Sequence, residues 1–173
     1  TGIFNRRYLE ETLDREIARA CRDRMPVGVM MMDLDFFKEV NDTHGHAGGD
    51  LLLKAMGNLL RTKVRLEDIP CRYGGEEFVL VMPNASIHVA IERAELIRMQ
   101  FDALHIPYNN KTSISATLSI GVAAYPEHGS TREELLQHAD IALYRAKESG
   151  RDRVIVYNDT LSARQENPSP VVM

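Results

Sequence analysis

The chain has no tryptophan, only two cysteines and few aromatic residues, 6% in all. Cys21 and Cys71 form neither a metal-ligand spacing nor a framework of four or more, so a disulfide scaffold and a cysteine zinc site are excluded, and the expectation is two reduced thiols. No apolar run approaches the roughly 18 residues of a membrane span, and there is no signal-peptide pattern. This predicts a soluble, cytoplasmic piece with no membrane contact of its own, whatever anchors its parent protein. A basic surplus is also missing. With 21 Lys and Arg against 25 Asp and Glu the net charge is −4, which argues against a general nucleic-acid binder but leaves a nucleotide open, since a few local cations suffice.

What is present is an ordinary globular composition, 44% hydrophobic and 27% charged in 173 residues, enough for one domain with its own core. Asn5 is placed to cap a helix running to about Arg24, with Leu9, Leu13, Ile17 and Ala20 at helical spacing and Pro26 ending it. The run from Val27 to Met32 predicts a buried central strand. A second helix is expected from about Ala47 to Val64, and a hairpin from Pro70 to Met82. A third helix follows from Ser86 to Ala103, with Val89, Ala90, Ala94 and Ile97 inward. Ser113 to Ala123 alternates like a strand. A last helix begins near Ser130 or Thr131, where Glu133 or Glu134 completes a capping box, and stops before Gly150. Val154 to Val156 reads as a final short strand. The fold class is therefore α+β, a sheet with helices packed on its faces. Residues 1–157 form the domain, and 158–173, polar and containing Pro168 and Pro170, read as a flexible tail.

Two acidic segments carry the chemistry. Gly74-Gly75-Glu76-Glu77-Phe78 sits between strand-like runs, so the glycines predict a tight turn at positive φ with two carboxylates at its exposed end. Asp33-Leu34-Asp35-Phe36-Phe37-Lys38 ends the central strand. Hard divalent cations take one or two protein carboxylates while substrate phosphates complete the shell, and Asp33 with Glu76 or Glu77 suits that chemistry.

Several separated motifs agree in order and spacing: Thr1-Gly2-Ile3-Phe4-Asn5-Arg6-Arg7; Asp33 through Asp42 with Gly45-His46 and Gly49-Asp50; Arg65 through Phe78; Ser119-Ile120-Gly121-Val122; and Ala139 through Tyr144 leading to Lys147 and Gly150-Arg151. In these the chain resembles the GGDEF family of diguanylate cyclases, in the variant with Glu at the central Asp. The resemblance implies a polymerase-palm-like, nucleotidyl-cyclase-like fold around a five-stranded, mainly antiparallel sheet. It also implies condensation of two GTP into cyclic dimeric GMP with release of two pyrophosphates, by a homodimer of half-sites.

By the same resemblance Asp33, the Leu34 backbone carbonyl, Glu76 and Glu77 hold Mg²⁺ or Mn²⁺. Glu76 is the candidate general base and Lys38 a catalytic cation. Asn41, His46 and Asp50 take the guanine nucleoside, while Phe37, Lys147 and Arg151 take phosphates. Arg65 and Asp68 match an inhibitory site for the product. The arginine that often assists them from the third helix is replaced by Leu96, which leaves Arg93 or Arg98 to substitute, and Arg19 is a candidate cross-subunit contact. Because the chain starts inside a motif, an N-terminal sensory or regulatory module is expected to be missing. The competing readings are a receptor that binds cyclic dimeric GMP with little catalysis, a palm-like transferase acting on a nucleic-acid strand, and a cyclase with altered purine choice.

Overall fold

A computed structural model of the chain describes residues 1–109 and 112–159. Most of the expected tail, residues 160–173, lies outside them. The elements in chain order are β1 (Phe4–Asn5), α1 (Arg6–Asp23), β2 (Val27–Leu34), α2 (Phe37–Lys63), β3 (Ile69–Arg72) and β4 (Glu77–Pro83). They continue with α3 (Ile87–Asp102), β5 (Ile106–Tyr108), β6 (Thr112–Ile114), β7 (Leu118–Tyr125), α4 (Arg132–Glu148) and β8 (Val154–Val156).

Every residue of β2 is buried, as a continuous apolar strand requires when both sheet faces are covered. It pairs antiparallel with β4 on one side and β7 on the other, from Val27↔Pro83 to Asp33↔Glu77 and from Val27↔Tyr125 to Leu34↔Leu118. Side chains alternate between faces along these strands. Met30, Met32, Phe78, Leu80 and Ile120 join α2 and α3 in one core, whereas Val29, Met31, Val79 and Val81 join α1 and α4 in the other. Asp33 and Glu77 share a parity with Met31 and Val79, so both project to the α1/α4 face.

The sheet has six strands in the order β1-β3-β4-β2-β7-β8, which corrects the expected five. It is also mixed, since the edge strands β1 and β8 lie parallel to β3 and β7. β1 is two exposed residues long and shows no hydrophobic alternation, which is why only its pairing reveals it. A separate hairpin joins β5 and β6, and it splits the expected strand from Ser113 to Ala123. That split falls at Ser115 to Thr117, although the Thr117 carbonyl still accepts from the Asp35 N–H at 3.0 Å in continuation of the β2/β7 register.

The helix ends follow their capping chemistry. The Asn5 side chain accepts from the Tyr8 N–H, and Arg24 closes α1 in the left-handed region at φ 56°. Thr131 and Glu134 form a full capping box on α4. α2 starts ten residues before the expected Ala47. The segment from Asn41 to Gly45 is poor in helix formers, but Val40 packs on the core and the Tyr108 hydroxyl donates to the His44 carbonyl at 2.7 Å. Gly45, at φ 70° and ψ 173°, breaks the helix into two segments. Both cysteines are free, Cys21 exposed and Cys71 buried.

Gly121 marks the closest approach of α4 to the sheet. A Cβ there would overlap the Ala139 carbonyl oxygen and the Leu143 nitrogen, both helix backbone. Gly121→Ala is expected to cost about 3 kcal/mol, at the upper end of overpacking effects, and a lowered urea midpoint with unchanged m-value will show it.

Candidate active site

The site forms where β2 ends and β4 begins, beside the last turn of α4. Asp33 is 5% exposed, and its Oδ2 lies 2.8 Å from Lys147 Nζ. Burial raises the Asp33 pKa, and the Lys147 ammonium only partly offsets it. Glu76 is also raised, by burial and by the negative charge of Asp33. Carboxylates crowded in this way favour a bound cation, because it relieves the mutual repulsion that desolvation amplifies. Among the described residues no three acidic, His or Cys side chains cluster closely enough to hold a metal by themselves. Asp33 and Glu76 still fit a hard cation that takes one or two protein carboxylates and completes its shell with phosphates.

The turn that carries Glu76 differs from the expected one. Residues 73–76 connect the strands, with the Tyr73 and Gly74 N–H groups both donating to the Glu77 carbonyl, and neither glycine has positive φ. Space explains Gly74 instead. The Glu77 carboxylate folds against it, where a Cβ would meet Oε2 at 2.5 Å. Arg72 straps the turn by donating to the Gly74 carbonyl at 3.3 Å and the Gly75 carbonyl at 2.7 Å. The Leu34 N–H donates to the Glu76 carbonyl at 3.4 Å, so the two acidic segments are joined through their backbones.

Glu77 faces a cleft of about 570 Å³ between α1 and α4, lined also by Arg6, Tyr73, Arg132 and Asp140. It therefore projects to one side of the turn.

Phe36 turns the chain from β2 into α2 in the left-handed region at φ 57°, and no side chain caps the helix. The first N–H groups of α2, beginning at Phe37, are thus left for an anion, which the helix dipole favours. Lys38 is exposed on the same first turn. Asn41 is half-buried one turn later. Its amide lies where a Cβ on Gly49 would stand, so Gly48 and Gly49 let the two segments of α2 approach. His46 and Asp50 are exposed just past the kink. Arg151 stacks its guanidinium 4.7 Å above the Phe36 ring, bringing the α4–β8 loop to the β2–α2 turn.

The other named residues lie elsewhere. Asp68 is buried; it accepts from the Arg65 N–H at 2.7 Å and pairs with Arg93 at 2.5 Å, so Arg93 is the third-helix arginine that meets it. Arg65 is exposed and lines a cavity of about 560 Å³ with Phe4, Arg61 and Leu66. Arg98 points away from this group, to Asp152 at 2.6 Å and Glu95 at 2.8 Å. Arg19 sits on the exposed face of α1 beside Asp23.

One group escaped the sequence reading. Asp35, 2% exposed, accepts from the Ser119 hydroxyl at 2.7 Å, the Thr117 hydroxyl at 2.8 Å and the Asp152 N–H at 3.1 Å. Its place two residues after Asp33, at the end of the buried strand, was the available signal.

Comparison with known proteins identifies the family. Residues 1–153 match the family model described as diguanylate cyclase, GGDEF domain. The chain is 43% identical over 156 residues to the response regulator PleD of Caulobacter vibrioides, covering 90% of this chain and 34% of that protein. It is 40% identical over 161 residues to the diguanylate cyclase DosC of Escherichia coli, covering 93% of this chain and 35% of the relative. A solved structure comprising only the GGDEF domain of YfiN from Pseudomonas aeruginosa superposes with a TM-score of 0.92 at 34% identity, covering 96% of this chain and 97% of that one. The chain belongs to the GGDEF family of diguanylate cyclase domains. It spans about a third of the length of the curated relatives it matches.

The Asp33 environment has a measurable signature. A carboxyl whose folded-state pKa is raised binds protons more tightly when folded. It therefore costs stability as pH rises through the window from its ordinary value to its folded one. Asp33→Asn is expected to raise the melting temperature of the metal-free protein at neutral pH, with the gain disappearing below about pH 4, where both forms are neutral. Melting curves at several pH values with a chelator present will test this.

Proposed function

We propose that the chain, over residues 1–157, is the catalytic domain of a diguanylate cyclase that condenses two GTP into cyclic dimeric GMP and two pyrophosphates. The observation that carries the reading is the convergence of Asp33 and Glu76, both held in surroundings that oppose their charge, on Lys147 and the uncapped start of α2. No helix among the described residues is long and apolar enough to cross a membrane. A cytoplasmic active domain, joined in its parent protein to an N-terminal regulatory module, fits this reading.

In each of the two equivalent bond-forming steps a 3′ oxygen bonds to the α-phosphorus of the other nucleotide. The bond from that phosphorus to the pyrophosphate oxygen breaks, and the hydroxyl proton passes to Glu76. The raised pKa of Glu76 brings it closer to the operating pH, which suits a general base. Asp33, the Leu34 carbonyl, Glu76 and Glu77 would hold Mg²⁺ or Mn²⁺, which supplies neutralisation of phosphate charge and acidifies the attacking hydroxyl. Lys147 neutralises Asp33 until phosphates arrive and then shares its charge with them. The first N–H groups of α2, including that of Phe37, receive the phosphate oxygens, with Lys38 and Arg151 adding positive charge.

Guanine selection falls to Asn41 and Asp50, with His46 beside them. A carboxylate accepts from N1 and N2 of guanine, a donor pair that adenine lacks. One half-site holds one nucleotide, so ring closure needs a second copy facing the first, and Arg19 is the candidate to reach across. The cavity beside Arg65, lined also by Asp68, which pairs with Arg93, suits the cyclic product as an inhibitor, with its phosphates meeting Arg61 and Arg65.

Incubation of concentrated protein with GTP and Mg²⁺, resolved by chromatography, is expected to give cyclic dimeric GMP that accumulates and then stalls, with Arg65→Ala relieving the stall. Tight binding of added product without any synthesis would instead establish a receptor. Glu76→Gln should lower turnover by about 10³-fold, in the range for loss of a positioned base, with a melting temperature that is not lowered; full activity would remove Glu76 from the role.

A further inference from the structure

Three residues other than glycine take up left-handed backbone within one small region: Phe36 at φ 57°, Arg151 at φ 61° and Asp152 at φ 44°. Such conformations persist only where surrounding contacts hold them. Here the contacts converge on Asp35. One carboxyl oxygen takes the Ser119 hydroxyl and the other takes the Thr117 hydroxyl and the Asp152 N–H, while Arg151 Nε stands 4.0 Å away. A second hold comes from α3, where Arg98 Nη1 binds the Asp152 carboxylate at 2.6 Å. The Arg151 guanidinium then rests on Phe36, the residue directly after Asp35.

We infer that Asp35, together with the Arg98–Asp152 ion pair, is a positioning device that sets Arg151 over the triphosphate site. It rests on the cyclase reading only in taking Arg151 as a ligand of GTP phosphates. Asp35 has no access to substrate, since its side chain is fully buried beneath Arg151. It acts through the peptide of Asp152, which it anchors in a conformation that an unanchored loop would leave. Arg98 closes the same loop from the solvent side, with only 19% of its side chain exposed. Its carboxylate partners draw it to this loop and away from Asp68.

The test compares binding of a non-hydrolysable GTP analogue and of guanosine by calorimetry in the full chain and in its Asp35→Asn, Arg98→Met and Arg151→Ala variants. Asp35→Asn and Arg98→Met are each expected to weaken the triphosphate about tenfold, the scale of a misplaced binding group, while guanosine affinity stays unchanged. Added to Arg151→Ala, neither substitution should weaken the analogue further. Equal loss of both probes, or full additivity with Arg151→Ala, would overturn the assignment. Should Asp35→Asn fail to fold, Arg98→Met at the half-exposed pair decides the question alone. If the unmodified chain bound neither probe, the cyclase reading itself would fall, whereas normal binding by Asp35→Asn and Arg98→Met beside a loss in Arg151→Ala overturns only the positioning role.

Discussion

The burial of β2 along its whole length is the constraint on which the rest depends. A strand covered on both faces has no room for charge until it ends, so the change from Met32 to Asp33 places a carboxylate at the margin of the core. The antiparallel neighbours then determine what meets it. Register carries Glu77 alongside Asp33, and the turn of residues 73–76 suspends Glu76 over the same end. The interior therefore sets the position and the electrostatics of the site at once. Desolvation is the leading cause of the raised pKa values at both Asp33 and Glu76. Such groups cost stability in the resting protein, and the two apolar cores on either side of the sheet offset that cost.

The β2–α2 turn works differently. Asp33 and Asp35 are two residues apart, yet one meets an ammonium at the mouth of the site and the other is enclosed by hydroxyl and backbone donors. Their neighbours make the difference. Thr117 and Ser119 bring hydroxyls from the neighbouring strand side and the loop after α4 brings the Asp152 N–H, so donors close around Asp35, whereas Asp33 meets Lys147. A full set of hydrogen bonds makes a buried carboxylate tolerable.

Much of this was legible in the residues. The strand from Val27, the inward stripe of α1, the capping box at Thr131 and the hairpin around the glycines all follow from periodicity and caps, because those signals are local. The early start of α2 was not legible. Its first turns are poor helix formers and hold their shape through Val40 in the core and Tyr108 from a distant hairpin. Nor could β1 be seen, since two exposed residues gain strand character only by lying beside Cys71 and Arg72. For Gly74 the residue type was informative and the reason was not, since what matters there is the room taken by the Glu77 side chain and no positive φ is involved. Leu96 stands where the family resemblance expects an arginine, and only the packing of α3 shows Arg93 on Asp68 and Arg98 turned elsewhere.

The two thiols divide the molecule into a reactive end and an inert interior. Burial pushes the Cys71 thiol up to about 12, so it stays protonated and out of reach of electrophiles. Cys21 is exposed and lies beside Pro26 and Tyr125, at the end of β2 opposite the acidic site. The strand between them spans roughly 25 Å at a rise of about 3.3 Å per residue. A maleimide dye would therefore attach to one known atom far from the acidic site. In a pair of domains meeting site to site, the two dyes would lie at the outer poles, where energy transfer between them measures the separation of the halves.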